Sequence, residues 1–349
     1  MTNLNLKISS AILFKQNSKL KIINLNSQIL RPYDVLVKIK YTGVCKSQLM
    51  EINGNHNTKK YLPHMLGHEA SGVVLKIGSK VKKVKIGQKV ILSWIKGKGG
   101  DNGPKKIYKE KLKINAGSIT TFSNYSIISE NRVFIKPKKM NDKEAAFYGC
   151  AVLTGGGIIL NEMKPKKNNS VVIIGLGGIG YVALRILQEI GVKNIVCIDT
   201  NPVKLRLARN LGIKHNLNSL SKNFKKKFTD IFPNGVDYCI ECAGLTQTIE
   251  MGFDLLNKNG SLFFSSHPKN SDKIKISPFD LIKGKKIYGS WGGSCKPDKD
   301  ISKIFNILRK KPIFNEKNIT KTFDLSKINN AILALKKGKV LRPLIKMKH

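Results

Sequence analysis

The sequence predicts an α/β chain of two domains, a doubly wound parallel sheet and a mostly antiparallel, barrel-like β domain. Two observations carry that prediction. The texture of the chain changes near residue 170: short β-type segments separated by Gly, Pro and Asn turns give way to buried apolar strands alternating with helical stretches. The second is the run Val171-Val-Ile-Ile-Gly175-Leu-Gly177-Gly178-Ile179-Gly180, in which G-x-G-x-x-G directly follows an apolar strand and opens a helix.

Taken in order, the first 135 residues carry strands at Val35 to Tyr41, Gly72 to Ile77, Lys89 to Trp94 and Asn124 to Ile128. Each is rich in residues that fit a half-buried pleated surface and is bounded by turn formers. Beyond 170 come a strand at Val171 to Ile174, a helix to Ile190, a strand at Asn194 to Ile198 and a helix through Leu211. Val236 to Glu241 and Ser261 to Ser265 add further strands. Strand, crossover helix, strand is the arrangement that builds a parallel sheet. After about 290 follow a helical stretch (Ile301 to Arg309), an amphipathic helix (Ser326 to Lys336) and a strand (Leu344 to Met347). This tail has too few strands for a domain of its own, so it is expected to return to the first one. No internal repeat is visible.

Composition narrows the function class. Hydrophobic residues make up 41% of 349, enough for two cores, which excludes global disorder. Lys and Arg number 63 against 22 Asp and Glu, a formal charge of +41 that invites a nucleic-acid reading. Only seven of these cations are arginine, however, and no uninterrupted run is longer than the three residues of Lys225 to Lys227. Arginine is the side chain suited to bidentate phosphate recognition and base stacking, so dispersed lysine reads as solvated surface, with no dedicated nucleic-acid partner. No apolar run approaches 18 residues, and the first residues alternate apolar and polar (Leu6, Ile8, Ala11, Leu13), so neither a membrane span nor a signal peptide is expected and the protein is placed in the cytoplasm. Six cysteines without a dense framework read as thiols or metal ligands rather than disulfides.

Each position of the glycine run has a cause. Gly175 allows the tight turn and Gly177 lets the backbone approach a pyrophosphate. Gly178 and Ile179 open the helix whose N-terminus faces the phosphates, and Gly180 lets helix and strand pack closely. Asp199 follows 19 residues after Gly180, at the end of the next strand, where its carboxylate can accept from the ribose hydroxyls of an adenosine. It would repel a 2′-phosphate, which predicts NAD over NADP.

Three further segments carry metal-ligand chemistry: Gly43-Val-Cys45-Lys46-Ser47, Gly67-His68-Glu69-Ala-Ser-Gly72 and Gly149-Cys150-Ala-Val-Leu-Thr154. Two thiolates and an imidazole are ligands zinc favours, and three protein ligands leave a fourth position open for substrate. With these segments upstream of a dinucleotide fold, the chain resembles the zinc-dependent alcohol dehydrogenases of the medium-chain dehydrogenase/reductase superfamily, over about residues 30 to 347.

The resemblance implies a GroES-like catalytic domain over residues 1–151 and 291–349 and a Rossmann domain over 152–290. It implies Cys45, His68 and Cys150 as ligands of one catalytic zinc, with Glu69 beside the metal and Ser47 taking the proton of the alcohol. Lys46, Thr154, Lys204 and Arg342 are implied as cofactor contacts, Arg342 by reaching back to the phosphates, and Trp94 and Trp291 as walls of a pocket for a small alcohol or carbonyl compound. The implied reaction is hydride transfer between an alcohol or polyol and NAD, in a homodimer or homotetramer. A zinc-independent quinone or enoyl reductase of the same superfamily is the alternative, and an RNA-binding protein on a dehydrogenase fold a further one.

The sequence departs from this pattern in three places. Residues 95 to 123 hold no cysteine, so a second, structural zinc is not expected. Met50 stands where many relatives carry a proton-relaying histidine, leaving His56 and His64 as candidates by proximity. Gln48 stands where relatives often have an aspartate that orients the zinc histidine. Cys239-Ile-Glu-Cys242 is a lone C-x-x-C at the end of a buried strand and reads as core, while Cys197, Cys295 and His267 receive no role.

Overall fold

The computed structural model describes residues 6–26, 29–55, 58–310, 313–314 and 319–349, so His56 lies outside the described residues. The chain divides into two compact units, Met1–Cys150 with Lys296–His349, and Ala151–Cys295. Along the chain run strands β1 (Lys7–Leu13), β2 (Lys21–Asn26) and β3 (Asp34–Gly43), helix α1 (Lys46–Ile52), then β4 (His64–Met65), β5 (Glu69–Ile77) and β6 (Lys89–Ser93). Strands β7 (Lys105–Lys109), β8 (Leu112–Gly117), β9 (Tyr125–Ser129) and β10 (Val133–Ile135) follow, with helix α2 (Asp142–Ala145). The second unit contains α3 (Ala151–Gly157), β11 (Ser170–Ile174), α4 (Gly178–Glu189), β12 (Asn194–Ile198), α5 (Pro202–Asn210) and β13 (His215–Leu217). It continues through α6 (Phe224–Ile231), β14 (Val236–Glu241), α7 (Thr246–Asp254), β15 (Leu256–Phe264), α8 (Pro278–Ile282) and β16 (Lys286–Gly289). The tail supplies α9 (Pro297–Leu308), β17 (Thr322–Asp324), α10 (Ile328–Lys336) and β18 (Leu344–Lys346).

In the first unit, two sheets form among the described residues, one ordered β2-β1-β4-β8-β7 and one ordered β10-β6-β5-β3-β18-β17, with β9 also on β3. Period-two alternation explains the core between them. Val35, Val37 and Ile39 of β3, Ala70 and Val74 of β5, and Val90 and Leu92 of β6 turn one face inward, and Ile328 and Ala331 of α10 cap it. The tail joins this unit because β18 pairs antiparallel with β3, Leu344 against Gly43 and Ile345 against Thr42.

The second unit is a six-stranded, all-parallel sheet in the order β13-β12-β11-β14-β15-β16. Numbered from β11 this is 3-2-1-4-5-6, the doubly wound order whose strand ends meet a ligand at the β11 switch point. The continuous apolar runs Val171–Ile174 and Ile195–Ile198 are buried because helices cover both faces. Of the described residues, no helix is long and apolar enough to cross a membrane.

The lysine-rich stretch after Trp94 folds into the β7–β8 hairpin and is held by charge. Asp34, fully buried, pairs with Lys105 at 2.7 Å, accepts from Asn102 Nδ2 at 2.9 Å and from Arg31 Nε at 3.2 Å. The Arg31 guanidinium donates onward to the carbonyls of Asn102 and Gly103. Burial pushes Lys105 down to about 8 against the opposing charge of Asp34. Burial also works against Asp34, but Lys105 and the hydrogen bonds from Asn102 and Arg31 hold its carboxyl below the ordinary value. Asp34→Asn is therefore expected to lower unfolding free energy by about 1.5–3 kcal/mol, the range for a hydrogen bond to a charged group. An unchanged urea midpoint would show that the hairpin does not depend on this network.

Candidate functional site

Cys45, His68 and Cys150 converge in the first unit. Their ligand atoms all lie within 4.8 Å of one another, and among the described residues they form the one cluster of at least three His, Cys, Asp or Glu side chains so placed. Cys45 ends the loop after β3 and caps α1 with extended backbone, His68 immediately precedes β5, and Cys150 ends the turn after α2. Both cysteines are buried and His68 is half-buried. The hydrogen bond with Cys150 holds the Cys45 thiol well below its ordinary value, burial opposing and the Arg342 charge assisting. The same bond, with burial, pushes Cys150 well up.

The donor set fits a zinc ion. His68 Nε2 is buried with no hydrogen-bond partner among the described residues, while Nδ1 lies 2.5 Å from Gln48 Nε2. Ser47 Oγ, in the first turn of α1, is likewise buried without a partner. Two thiols and one imidazole nitrogen within 4.8 Å of one another are a donor set of the kind a three-ligand zinc site uses.

Beneath the cluster, Arg342 donates from Nη2 to Glu69 Oε1 at 2.6 Å, with side chains only 4% and 0% exposed. Burial would lower the arginine, but the negative field of Cys45, Glu69 and Cys150 reverses this and keeps the guanidinium charged. Two glycines make room for this pair. A Cβ on Gly43 would fall 2.1 Å from Glu69 Oε1, and one on Gly149 would fall 2.7 Å from Glu69 Cβ and 2.1 Å from Leu92 O. The sequence expectation sent Arg342 to cofactor phosphates; in the structure its Nη2 pairs with Glu69.

Other expected residues of this unit are placed as follows. Lys46 is exposed at the start of α1. Trp94 is half-buried, its carbonyl accepting from Arg132 Nη1. Met50 is half-buried on α1. His64 donates from Nδ1 to Asn115 O at 2.9 Å, and its Nε2 lies 3.9 Å from Glu51 Oε2. Burial pushes His64 down and Glu51 up. Glu51 escaped the sequence reading; its spacing of four from Ser47, which puts both on one helical face, was the available signal.

In the second unit the turn between β11 and α4 has the shape expected of an anion cradle. Gly175 has φ +88°, and a Cβ there would meet Ala243 N at 2.8 Å. A Cβ on Gly180 would fall 2.1 Å from Gly175 O, so helix and strand touch at that point. At Gly177, which caps the 12-residue α4, a Cβ would meet nothing within 4 Å. Gly178 and Ile179, the first residues of α4, are half-buried. The buried Asp199 accepts from Leu176 N at 2.7 Å inside the turn, from Asn201 N at 2.9 Å, and from Lys204 Nζ at 3.2 Å. Thr154 is buried on α3 and its Oγ1 has no hydrogen-bond partner among the described residues. Trp291 is 72% exposed and packs edge-on against His267 with centroids 5.6 Å apart. Cys197 and Cys239 are buried, and Cys295 donates to Leu153 O at 3.1 Å.

A zinc-binding dehydrogenase model matches residues 178–310 and an alcohol dehydrogenase GroES-like domain model matches residues 31–138. The S-(hydroxymethyl)glutathione dehydrogenase of Haemophilus influenzae is 28% identical over 371 residues, covering 98% of each chain. That of Escherichia coli O1:K1 is 27% identical over 98% of this chain and 100% of its own. Among solved structures, benzyl alcohol dehydrogenase from Acinetobacter calcoaceticus superposes with TM-score 0.88 at 25% identity, covering 98% of this chain and 100% of that one. An alcohol dehydrogenase zinc-binding domain protein from Burkholderia ambifaria has a TM-score of 0.90 over 99% and 100% of the chains, a likeness of fold at 24% identity.

Proposed function

Because the chain belongs to the zinc-dependent alcohol dehydrogenases of the medium-chain dehydrogenase/reductase superfamily, we propose that this oxidoreductase uses one zinc ion and NAD to interconvert an alcohol and its carbonyl compound. The observation that carries the proposal is the Cys45–His68–Cys150 cluster. When bound, zinc supplies Lewis acidity towards the substrate oxygen, and the nicotinamide exchanges a hydride with the neighbouring carbon.

In this reading each residue has its own part. Cys45, His68 and Cys150 would hold the metal, with the Cys45 thiol poised to ionise. Ser47 Oγ, buried without a partner among the described residues on the helix that Cys45 caps, is the hydroxyl that would take the alcohol's proton. Arg342 and Glu69 neutralise each other beneath the sulfurs. The Gly175–Gly180 turn would receive the pyrophosphate, Asp199 the adenosine ribose with Lys204 beside it, and Lys46, Thr154, Trp94 and Trp291 complete the cofactor and substrate contacts. Assembly as a homodimer or homotetramer in the cytoplasm is part of the same reading.

The experiment is a zinc determination joined to a substrate screen with NAD⁺, spanning primary, secondary, polyol and hydroxymethyl-thiol alcohols. The last class is included because two relatives are S-(hydroxymethyl)glutathione dehydrogenases. One zinc per chain and alcohol-dependent NADH formation are expected; two tightly held zincs would contradict the assignment. NAD should be preferred through Asp199, and comparable KM values for NAD and NADP would remove that role.

Gly177→Val tests the cradle without disturbing the fold. Its φ of −78° suits any residue and its Cβ position is open. Thermal stability should be retained, while kcat/KM for NAD falls by about 10 to 100-fold, the equivalent of about 1.5–3 kcal/mol of hydrogen bonding to a charged group. An unchanged kcat/KM would place the pyrophosphate elsewhere.

A further inference from the structure

Gln48 is fully buried on α1, and both ends of its side-chain amide are in use. Oε1 accepts from the Cys45 backbone N–H at 2.7 Å, closing the capping turn that starts the helix. A backbone N–H can only donate, so the oxygen belongs on that side. The NH₂ end is then the group 2.5 Å from His68 Nδ1. An NH₂ group also only donates, so Nδ1 must accept and the ring's proton sits on Nε2. With Nδ1 occupied by Gln48, Nε2 is the nitrogen left for a metal, and it is the one buried without a partner.

A neutral histidine that binds metal through Nε2 needs the reverse arrangement, a lone pair on Nε2 and a proton on Nδ1 given to an acceptor. A carboxylate at position 48 would accept from Cys45 N–H and from His68 Nδ1–H together. An amide accepts from one of them and faces the other with N–H against N–H. We propose that Gln48 is a positioning residue that opposes zinc capture: binding through His68 Nε2 requires the amide to turn over, which leaves the Cys45 N–H facing an NH₂ group and makes zinc more weakly held than with a carboxylate at 48. The inference rests on the metal reading given above.

The test uses the full chain, zinc alone as probe, and Gln48→Glu, which keeps the shape and exchanges a donor for an acceptor. Chelator competition should show zinc bound about 10 to 100-fold more tightly by Gln48→Glu, the range over which partners of a zinc histidine act. Added negative charge alone could tighten binding, so the second readout is the ¹⁵N spectrum of the His68 ring in metal-free protein, at a pH where the ring is neutral. The wild type should carry its proton on Nε2 and Gln48→Glu on Nδ1. A proton on Nδ1 in the wild type overturns the inference, as does equal or weaker zinc affinity in folded Gln48→Glu. Should that variant fail to fold, the wild-type spectrum decides alone. Absence of zinc binding in both proteins would instead overturn the metal reading itself, and the inference with it.

Discussion

Replacing Cys45 with serine is expected to remove the bound zinc and to lower alcohol-dependent reduction of NAD by about two to three orders of magnitude, since a Lewis acid supplies several kcal/mol and each 1.36 kcal/mol is a factor of ten. The substitution is informative because it should spare the fold. Cys45 caps α1 with extended backbone, and serine is among the best residues for that position, so the helix keeps its start. What is lost is the sulfur that the Cys150 hydrogen bond and the Arg342 charge hold poised to ionise. Cys239→Ala is the matched control. Cys239 is buried in the core of the second unit beside Ile249 and Phe253, and its removal should leave zinc content unchanged. Full activity in metal-free Cys45→Ser would refute the metal role.

The second large effect is on stability. Arg342→Met leaves Glu69, fully buried, without the guanidinium 2.6 Å away, and breaking a buried ion pair from one side costs about 3–5 kcal/mol. Adding Glu69→Gln to the same chain should restore part of that loss, because the uncompensated charge is gone. This separates two roles for Arg342. If its main partner were a cofactor phosphate, Arg342→Met would raise the KM for NAD and leave the urea midpoint in place. The geometry predicts the opposite order of effects, with stability falling in the absence of any cofactor.

Much of this was legible in the sequence because it rests on local chemistry. The glycines at 175 and 180 are demanded by a positive φ and by a 2.1 Å approach, and such demands leave glycine in the sequence whatever the rest of the fold does. The strands Asn194–Ile198 and Val236–Glu241 have the bounds the apolar runs predict. What depended on distant partners was not legible. The β7–β8 hairpin is not among the strands expected from the sequence, because what holds it is Asp34 and Arg31, far away in the chain. Arg342 reads as a cofactor-phosphate contact, and its pairing with Glu69 becomes visible only once β18 pairs with β3. Gln48 reads as a weaker acceptor, and only the two distances at its amide show that it donates to His68. His64, a relay candidate by proximity once Met50 stands at the histidine position, has its Nε2 3.9 Å from Glu51 Oε2, and that carboxylate was not singled out by the sequence.

The central claim is that Cys45, His68 and Cys150 together hold one zinc. X-ray absorption at the zinc edge of the metal-loaded chain tests it most directly. The structure predicts two sulfur ligands at about 2.3 Å and one histidine nitrogen at about 2.0–2.1 Å, with the remaining position filled by a light atom. A shell of four sulfurs, or one with no sulfur at all, would contradict it.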